Sequence, residues 1–127
     1  MLENIVKFLK SKKIKCEVEN DDTAEIISFS YKYDFGEVPC EISYDKENDV
    51  TKFYTEVGEF DQDSRVEGFM ACHLCNYDTF YLKFYMSDDN NIAGERYLTT
   101  LEMTDDDIEG ILADMETIAD TIEPYNL

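Results

Sequence analysis

Three stretches between Ile26 and Val57 alternate apolar and polar residues, and this alternation constrains the fold more than any other feature of the chain. Ile27, Phe29, Tyr31 and Tyr33 share one face of the first run, Ile26–Tyr33. In the second, Val38, Cys40, Ile42 and Tyr44 alternate with Pro39, Glu41 and Ser43; in the third, Phe53 and Val57 lie opposite Tyr54. A period of two is that of a strand with two unlike faces. Pro39, near the start of its run, suits an edge strand or a strand's first residues. The connectors Asp34-Phe35-Gly36 and Asp45 to Asp49 are short and rich in turn formers, so the runs are expected to form an antiparallel meander with one face needing cover.

Helices supply that cover. Leu2, Ile5, Val6 and Leu9 recur at helical spacing with lysines opposite, and Lys15–Glu19 reads as a brief strand before an acidic turn at Asn20-Asp21-Asp22. A second helix is expected over Asp63–Tyr77, capped by Asp61, Asp63 or Ser64. A strand over Thr79–Met86 would send Phe80, Leu82, Phe84 and Met86 one way and Tyr81, Lys83 and Tyr85 the other. Ser87 to Asn91 is the turn to a return strand over Arg96–Met103. In the last helix Thr104 caps, Asp107 completes a capping box, and Ile108, Ile111, Leu112, Met115, Ile118, Ala119 and Ile122 form one apolar stripe ended by Pro124. The order helix, meander, helix, hairpin, helix defines an α+β domain over 1–127 with an antiparallel sheet.

Charge narrows the possible partners. Thirty acids against 11 basic residues give a formal charge of -19. Such a surface repels phosphate backbones and anionic membranes, which argues against nucleic acid and membrane as partners. The imbalance is uneven: Lys7, Lys10, Lys12, Lys13 and Lys15 crowd the N-terminal end, whereas no Lys or Arg follows Arg96 and nine acids lie between Glu102 and Glu123. The basic first helix and the acidic last one either attract each other, within or between subunits, or stand as separate solvated faces. No apolar run is long enough to span a bilayer and no leader pattern is visible, so the four cysteines read as free thiols in the cytoplasm.

Cys72-His73-Leu74-Cys75 is the stretch most suggestive of chemistry. A structural zinc site needs four ligands, but the remaining cysteines, Cys16 and Cys40, stand singly and there is no second histidine. A redox pair would open its helix, where the dipole lowers a thiol pKa; this pair sits deep within one. Helical spacing instead puts Val66, Met70, His73, Leu74 and Tyr77 on one side and Gly68, Phe69, Cys72 and Cys75 on another. A helix with two apolar sides is buried twice, on the sheet and on another helix or subunit. Asp45, Glu47, Asp49 and Glu56 fall at calcium-loop positions, but Val50 replaces the required glycine and the segment reads as turn plus strand. No phosphate loop, nucleophile elbow or dinucleotide motif occurs, so no catalytic residue, metal or cofactor is expected.

Arg65-Val66, a helix closing on Leu74-Cys75-Asn76, the strand Phe80-Tyr81-Leu82, the turn Asp88-Asp89-Asn90, and a last helix starting at Leu101-Glu102-Met103-Thr104 and ending at Pro124-Tyr125 together resemble the YbjN family of small bacterial domains. About half the chain carries this similarity. Cys75 stands where that family has a leucine-like residue, which supports its reading as a core position. The resemblance implies the fold of type III secretion chaperones and an acidic, non-enzymatic homodimer that binds another polypeptide, in a class labelled sensory transduction regulators. It implies no catalytic or ligand residues.

The expected function is therefore that of a protein-binding, chaperone-like or regulatory module, with a self-associating domain that has no client as the alternative. Two surfaces qualify for a partner or a dimer: Phe69, Cys72, His73 and Cys75 on the two-sided helix, and Tyr81, Lys83, Tyr85 and Tyr97 on the open sheet face. Tyrosine supplies large contact area at low entropic cost, while the same residues also serve as ordinary cross-strand pairs. Surplus acid repels itself over a screening length of about 8 Å at physiological salt, so the urea midpoint should rise as salt is added at low ionic strength. A flat midpoint would show the charges to be paired.

Overall fold

The computed structural model describes residues 2–98 and 104–125. Helix α1 (Glu3–Ser11) leads into strands β1 (Cys16–Asn20), β2 (Ala24–Tyr33), β3 (Gly36–Asp45) and β4 (Val50–Glu59). A 3-10 turn (Gln62–Ser64), α2 (Arg65–Asp78), β5 (Lys83–Met86) and β6 (Asn91–Leu98) follow, then α3 (Asp105–Thr117), α4 (Ala119–Ile122) and a closing 3-10 turn (Glu123–Tyr125). All strands join one antiparallel sheet in the order β1-β2-β3-β4-β6-β5.

The period-two runs bury the face that the sequence marks out. Ile27 and Phe29 on β2, Val38, Cys40 and Ile42 on β3, and Thr51, Phe53, Thr55 and Val57 on β4 are shielded from water. Leu2, which caps the first helix, and Ile5 and Leu9 within it cover them together with Ile108, Ile111 and Met115 of α3, Ile118 at the break and Ile122 of α4. The capping box is complete: Asp107 donates its N–H to Thr104 Oγ1 at 3.2 Å, and Thr104 donates its N–H to the Asp107 carboxylate at 2.9 Å. Tyr33 donates its hydroxyl to the Met115 carbonyl at 2.7 Å, and Tyr31 donates to Glu116 at 2.7 Å, which tie α3 to β2. The basic and acidic helices meet within the chain, where Lys12 pairs with Glu109 at 2.6 Å.

The structure departs from the sequence reading at several points. Strand β3 is internal, so of the two placements offered for Pro39 the edge fails and the early part of a strand holds: it is the fourth residue of β3 and lies just beyond Cys40, where the ladder to β4 ends. Helix α2 begins at Arg65 behind a 3-10 turn, and Ser64 stands at its N-cap without a side-chain hydrogen bond. The last apolar stripe is buried along its length, yet the helix breaks at Ile118 into α3 and α4. The return strand starts at Asn91 rather than Arg96: Ala93 and Gly94 hide it from propensity, but Gly94 must be small because the Phe84 ring and Thr55 methyl close over it. The expected extension of that strand to Met103 and the helix start at Leu101-Glu102-Met103 lie outside the described residues.

The largest departure is at Phe80–Leu82, expected as strand and found as a turn. Its cause is Asp114, a carboxylate on the buried stripe of α3 that is 3% exposed. Phe80, Tyr81 and Leu82 each donate a backbone N–H to it, at 3.2, 2.6 and 2.9 Å. Three donors converging on one buried anion compensate its lost hydration. They also leave those N–H groups unavailable to a sheet ladder, so β5 shrinks to four residues. Replacing Asp114 by Ala strands these donors and should cost about 3 kcal/mol, with Asp114→Asn losing roughly half as much. Urea unfolding measures both; a loss below about 1 kcal/mol for the alanine variant would show the turn to be held by other contacts.

Candidate polypeptide-binding surface

Helix α2 is built inside out. The side facing β5 and the core carries its small residues, Gly68, Ala71, Cys72 and Cys75, all buried. A Cβ on Gly68 would meet the Met86 side chain at 2.7 Å, so the backbone lies tight on the sheet edge. The large apolar residues point away. Val66 is 72% exposed, Met70 64%, Tyr77 82% and Phe80, just past the helix end, 93%, with Phe69 and Leu74 about half exposed. Arg65 lies over the Phe69 ring at 5.4 Å. Isolated apolar side chains on a surface are ordinary; six large ones on and just past a single helix make this the candidate interaction surface.

Phe80 stands just beyond the C-terminal end of the helix. Its backbone is held by Asp114 while its ring stands in solvent, which presents a large apolar group at low entropic cost. Asn76, at the end of the helix, donates Nδ2–H to the Phe84 carbonyl at 2.9 Å and accepts the Phe84 N–H at 2.7 Å. A side-chain amide thus takes the place of a neighbouring strand along β5, so the sheet edge beside the ridge is blunted.

The residues of the Cys-x-x-Cys stretch part company in the fold. Cys72 and Cys75 face inward, while His73 is exposed. Burial pushes the Cys72 thiol up to about 11 and the Cys75 thiol up to about 12, and Cys40, also buried, rises to about 11. A thiol held protonated is a poor nucleophile and a poor metal ligand. Among the described residues no three His, Cys, Asp or Glu side chains converge as a metal site.

The open face of the sheet holds Lys83, Tyr85 and Tyr97 together, but not Tyr81. Lys52 lies 4.9 Å from the Tyr54 ring and 5.2 Å from the Tyr97 ring, and pairs with Glu95 at 3.6 Å. Tyr85 donates to Glu95 at 3.1 Å, and Lys83 stands opposite Glu95 in the ladder. These groups satisfy one another as cross-strand pairs. Tyr81 lies on the helix-covered side, its ring over Gly110 and 4.9 Å from the Arg96 guanidinium, because the Asp114-bound turn rotates it out of strand alternation. The expectation that it shares a surface with Tyr85 is therefore corrected.

Sequence reasoning missed Asp114, Asn76 and the outward swing of Phe80. Asp114 carried a usable signal: it falls three residues after Ile111 and four before Ile118, which places an acid on the buried stripe. Asn76 carried none, since its partner is a backbone set by tertiary packing.

A six-stranded antiparallel sheet with helices on one face, and an extra helix along its β5 edge, is an α+β architecture of the YbjN type. The crystal structure of YbjN from E. coli, a candidate transcription regulator, superposes with a TM-score of 0.56 over 98% of this chain and 89% of that one, at 13% sequence identity. The chain therefore has a YbjN-like fold. No protein-family model and no curated protein sequence matches it. No helix among the described residues is long and apolar enough to cross a membrane.

The thiols give a test. Buried and neutral in the native state, Cys40, Cys72 and Cys75 retain protons that the unfolded chain releases above about 9. Their contribution to stability is thus complete below about pH 9 and is lost as pH rises through 11 to 12. Urea midpoints should fall between pH 8.5 and 11, and less steeply in a variant carrying Cys72→Ala and Cys75→Ala, which itself costs about 1–3 kcal/mol. Identical slopes in the two proteins would place these thiols in water.

Proposed function

We propose that this chain is a non-enzymatic, homodimeric polypeptide-binding module of the cytoplasm, and that the α2 ridge is its docking surface. The observation that carries the reading is the exposure of Val66, Phe69, Met70, Leu74, Tyr77 and Phe80 on one ridge of an otherwise strongly charged protein. Single aromatic residues bring about 150–250 Å² each, so the ridge is large enough to supply one side of a standard interface. The helix also suits a second copy of itself. Arg65 stands at its N-terminal end and Asp78 at its C-terminal end, so two copies packed antiparallel place each arginine beside the other's aspartate and oppose the helix dipoles. A parallel pair would bring Arg65 to Arg65. The surplus negative charge keeps an apolar ridge soluble and rejects unsuited partners. With protonated thiols and an exposed, isolated His73, the reading needs no catalytic residue and no cofactor.

Sedimentation velocity tests the assembly. Wild-type protein should sediment as a dimer at micromolar concentration, and a variant carrying Met70→Asp and Leu74→Asp as a monomer. Both sites are more than half exposed, so the circular dichroism spectrum should not change. A wild-type monomer, or a dimer that survives both substitutions, would overturn this reading.

A further inference from the structure

Away from α2, the outward face of β1 to β4 forms a groove of about 1480 Å³. Its floor is low because small residues occupy outward positions: Ser28 and Ser30 on β2, with Pro39 of β3 directly opposite Ser30. The rim is unusual for this protein. Five of its 11 basic residues, Lys10, Lys12, Lys13, Lys15 and Lys32, line this one groove. Four of them come from the last turn of α1 and its exit, where Lys13 adopts a left-handed backbone (φ 63°) as the chain turns toward β1. Lys12 pairs with Glu109, and Lys32 lies 3.8 Å from Glu37. Among the described residues Lys10, Lys13 and Lys15 have no carboxylate within ion-pair distance, on a chain with 30 acids.

The opposite wall is acidic. Glu37 and Glu41 of β3 and Glu56 of β4 line it, beside Tyr54, and Glu17 is the one acid on the lysine side. Glu56 accepts from the Tyr54 hydroxyl at 3.0 Å and from Asn91 Nδ2 at 3.1 Å, and Glu37 lies beside Lys32, so Glu41 is the wall's acid with no such partner among the described residues. The groove is thus polarised across the strands. A polyphosphate would meet the lysines but be repelled by the glutamates, and the volume exceeds the roughly 300–1,000 Å³ typical of small-molecule sites. Crossing β1 to β4 spans three strand gaps, about 14 Å, which an extended peptide covers in roughly four residues.

We infer that this groove binds an extended polypeptide segment of the partner, in which acidic side chains meet the Lys13–Lys15 rim and basic side chains, about four residues away, meet the glutamates of β3 and β4. The inference takes from the preceding section only that the protein binds polypeptide. It places the client on the far side of the sheet from the α2 ridge.

The probe is a fluorescein-labelled peptide with two glutamates and two lysines separated by four neutral residues; its control has the same composition with the charges alternating. Fluorescence anisotropy should show the blocked peptide binding at least about tenfold more tightly than the control, with the difference shrinking as salt is added. The variant carrying Lys13→Glu and Lys15→Glu, both exposed positions, should keep its circular dichroism spectrum and lose that preference. Equal affinity for the two peptides, no binding of either, unchanged binding to the variant, or displacement by inorganic triphosphate as effective as by unlabelled peptide would each overturn the inference. Sedimentation of the same samples registers a failure of the dimer separately, since neither lysine lies on α2.

Discussion

The carboxylate of Asp114 is the point at which the three parts of the fold are tied together. It sits on the stripe with which α3 covers the sheet, and it accepts three backbone N–H groups from the turn between α2 and β5. An unpaired charge in that position would be strongly destabilising, so the turn must close on it once α3 is docked. With the turn fixed, Leu82 is directed into the core, Tyr81 is laid over Gly110 and Arg96, and Phe80 is turned into solvent. The same closure sets where β5 begins, and therefore where Asn76 finds the Phe84 backbone.

Helix α2 follows from the geometry of that edge. Met86 and Phe60 leave no room for a side chain at Gly68, and the small residues Ala71, Cys72 and Cys75 are buried on the same side. The helix still carries Val66, Phe69, Met70, Leu74 and Tyr77, and these have no inner position left to fill. An amphipathic helix is normally oriented by its larger apolar residues. Here steric fit at the sheet edge overrides that preference, and the cost is an uncovered apolar ridge.

How far the sequence foretold this depends on which physical term dominates locally. The alternation of Ile27, Phe29, Val38, Cys40, Ile42, Phe53 and Val57 and the stripe from Ile108 to Ile122 were legible because burial alone decides them. The start of β6 was not, since Gly94 is there to accommodate Phe84 and Thr55 rather than to favour a strand. The two apolar sides read from spacing on α2 were partly wrong: Phe69 was grouped with Gly68, Cys72 and Cys75 but lies outside with Val66 and Met70, and the two cysteines expected on a partner surface are buried, because clearance to Met86 at Gly68 decides which side faces in. The YbjN-like architecture was legible in scattered packing residues, and the structural likeness at 13% identity bears it out. Tyr81 was assigned to the wrong face for a single reason: strand alternation was extended across residues whose N–H groups are committed to Asp114.

The two surfaces left open sit at opposite ends of the sheet, and their chemistry differs in a way that keeps them apart. The α2 ridge lies beyond the β5 edge and is apolar, with Arg65 and Asp78 at its ends. The groove lies over β1 to β4 and is charged, with lysines facing glutamates across a floor of serine and proline. An apolar helix gains little in a groove rimmed by charge that it cannot pair, and a charged strand gains little on the ridge. The acidic remainder of the molecule, from Asp105 to Glu123 above all, disfavours approach of other strongly acidic segments except where lysines meet them. On the proposed reading, distributing charge in this way keeps self-association and capture of a segment on separate surfaces of one small sheet, with no moving part required.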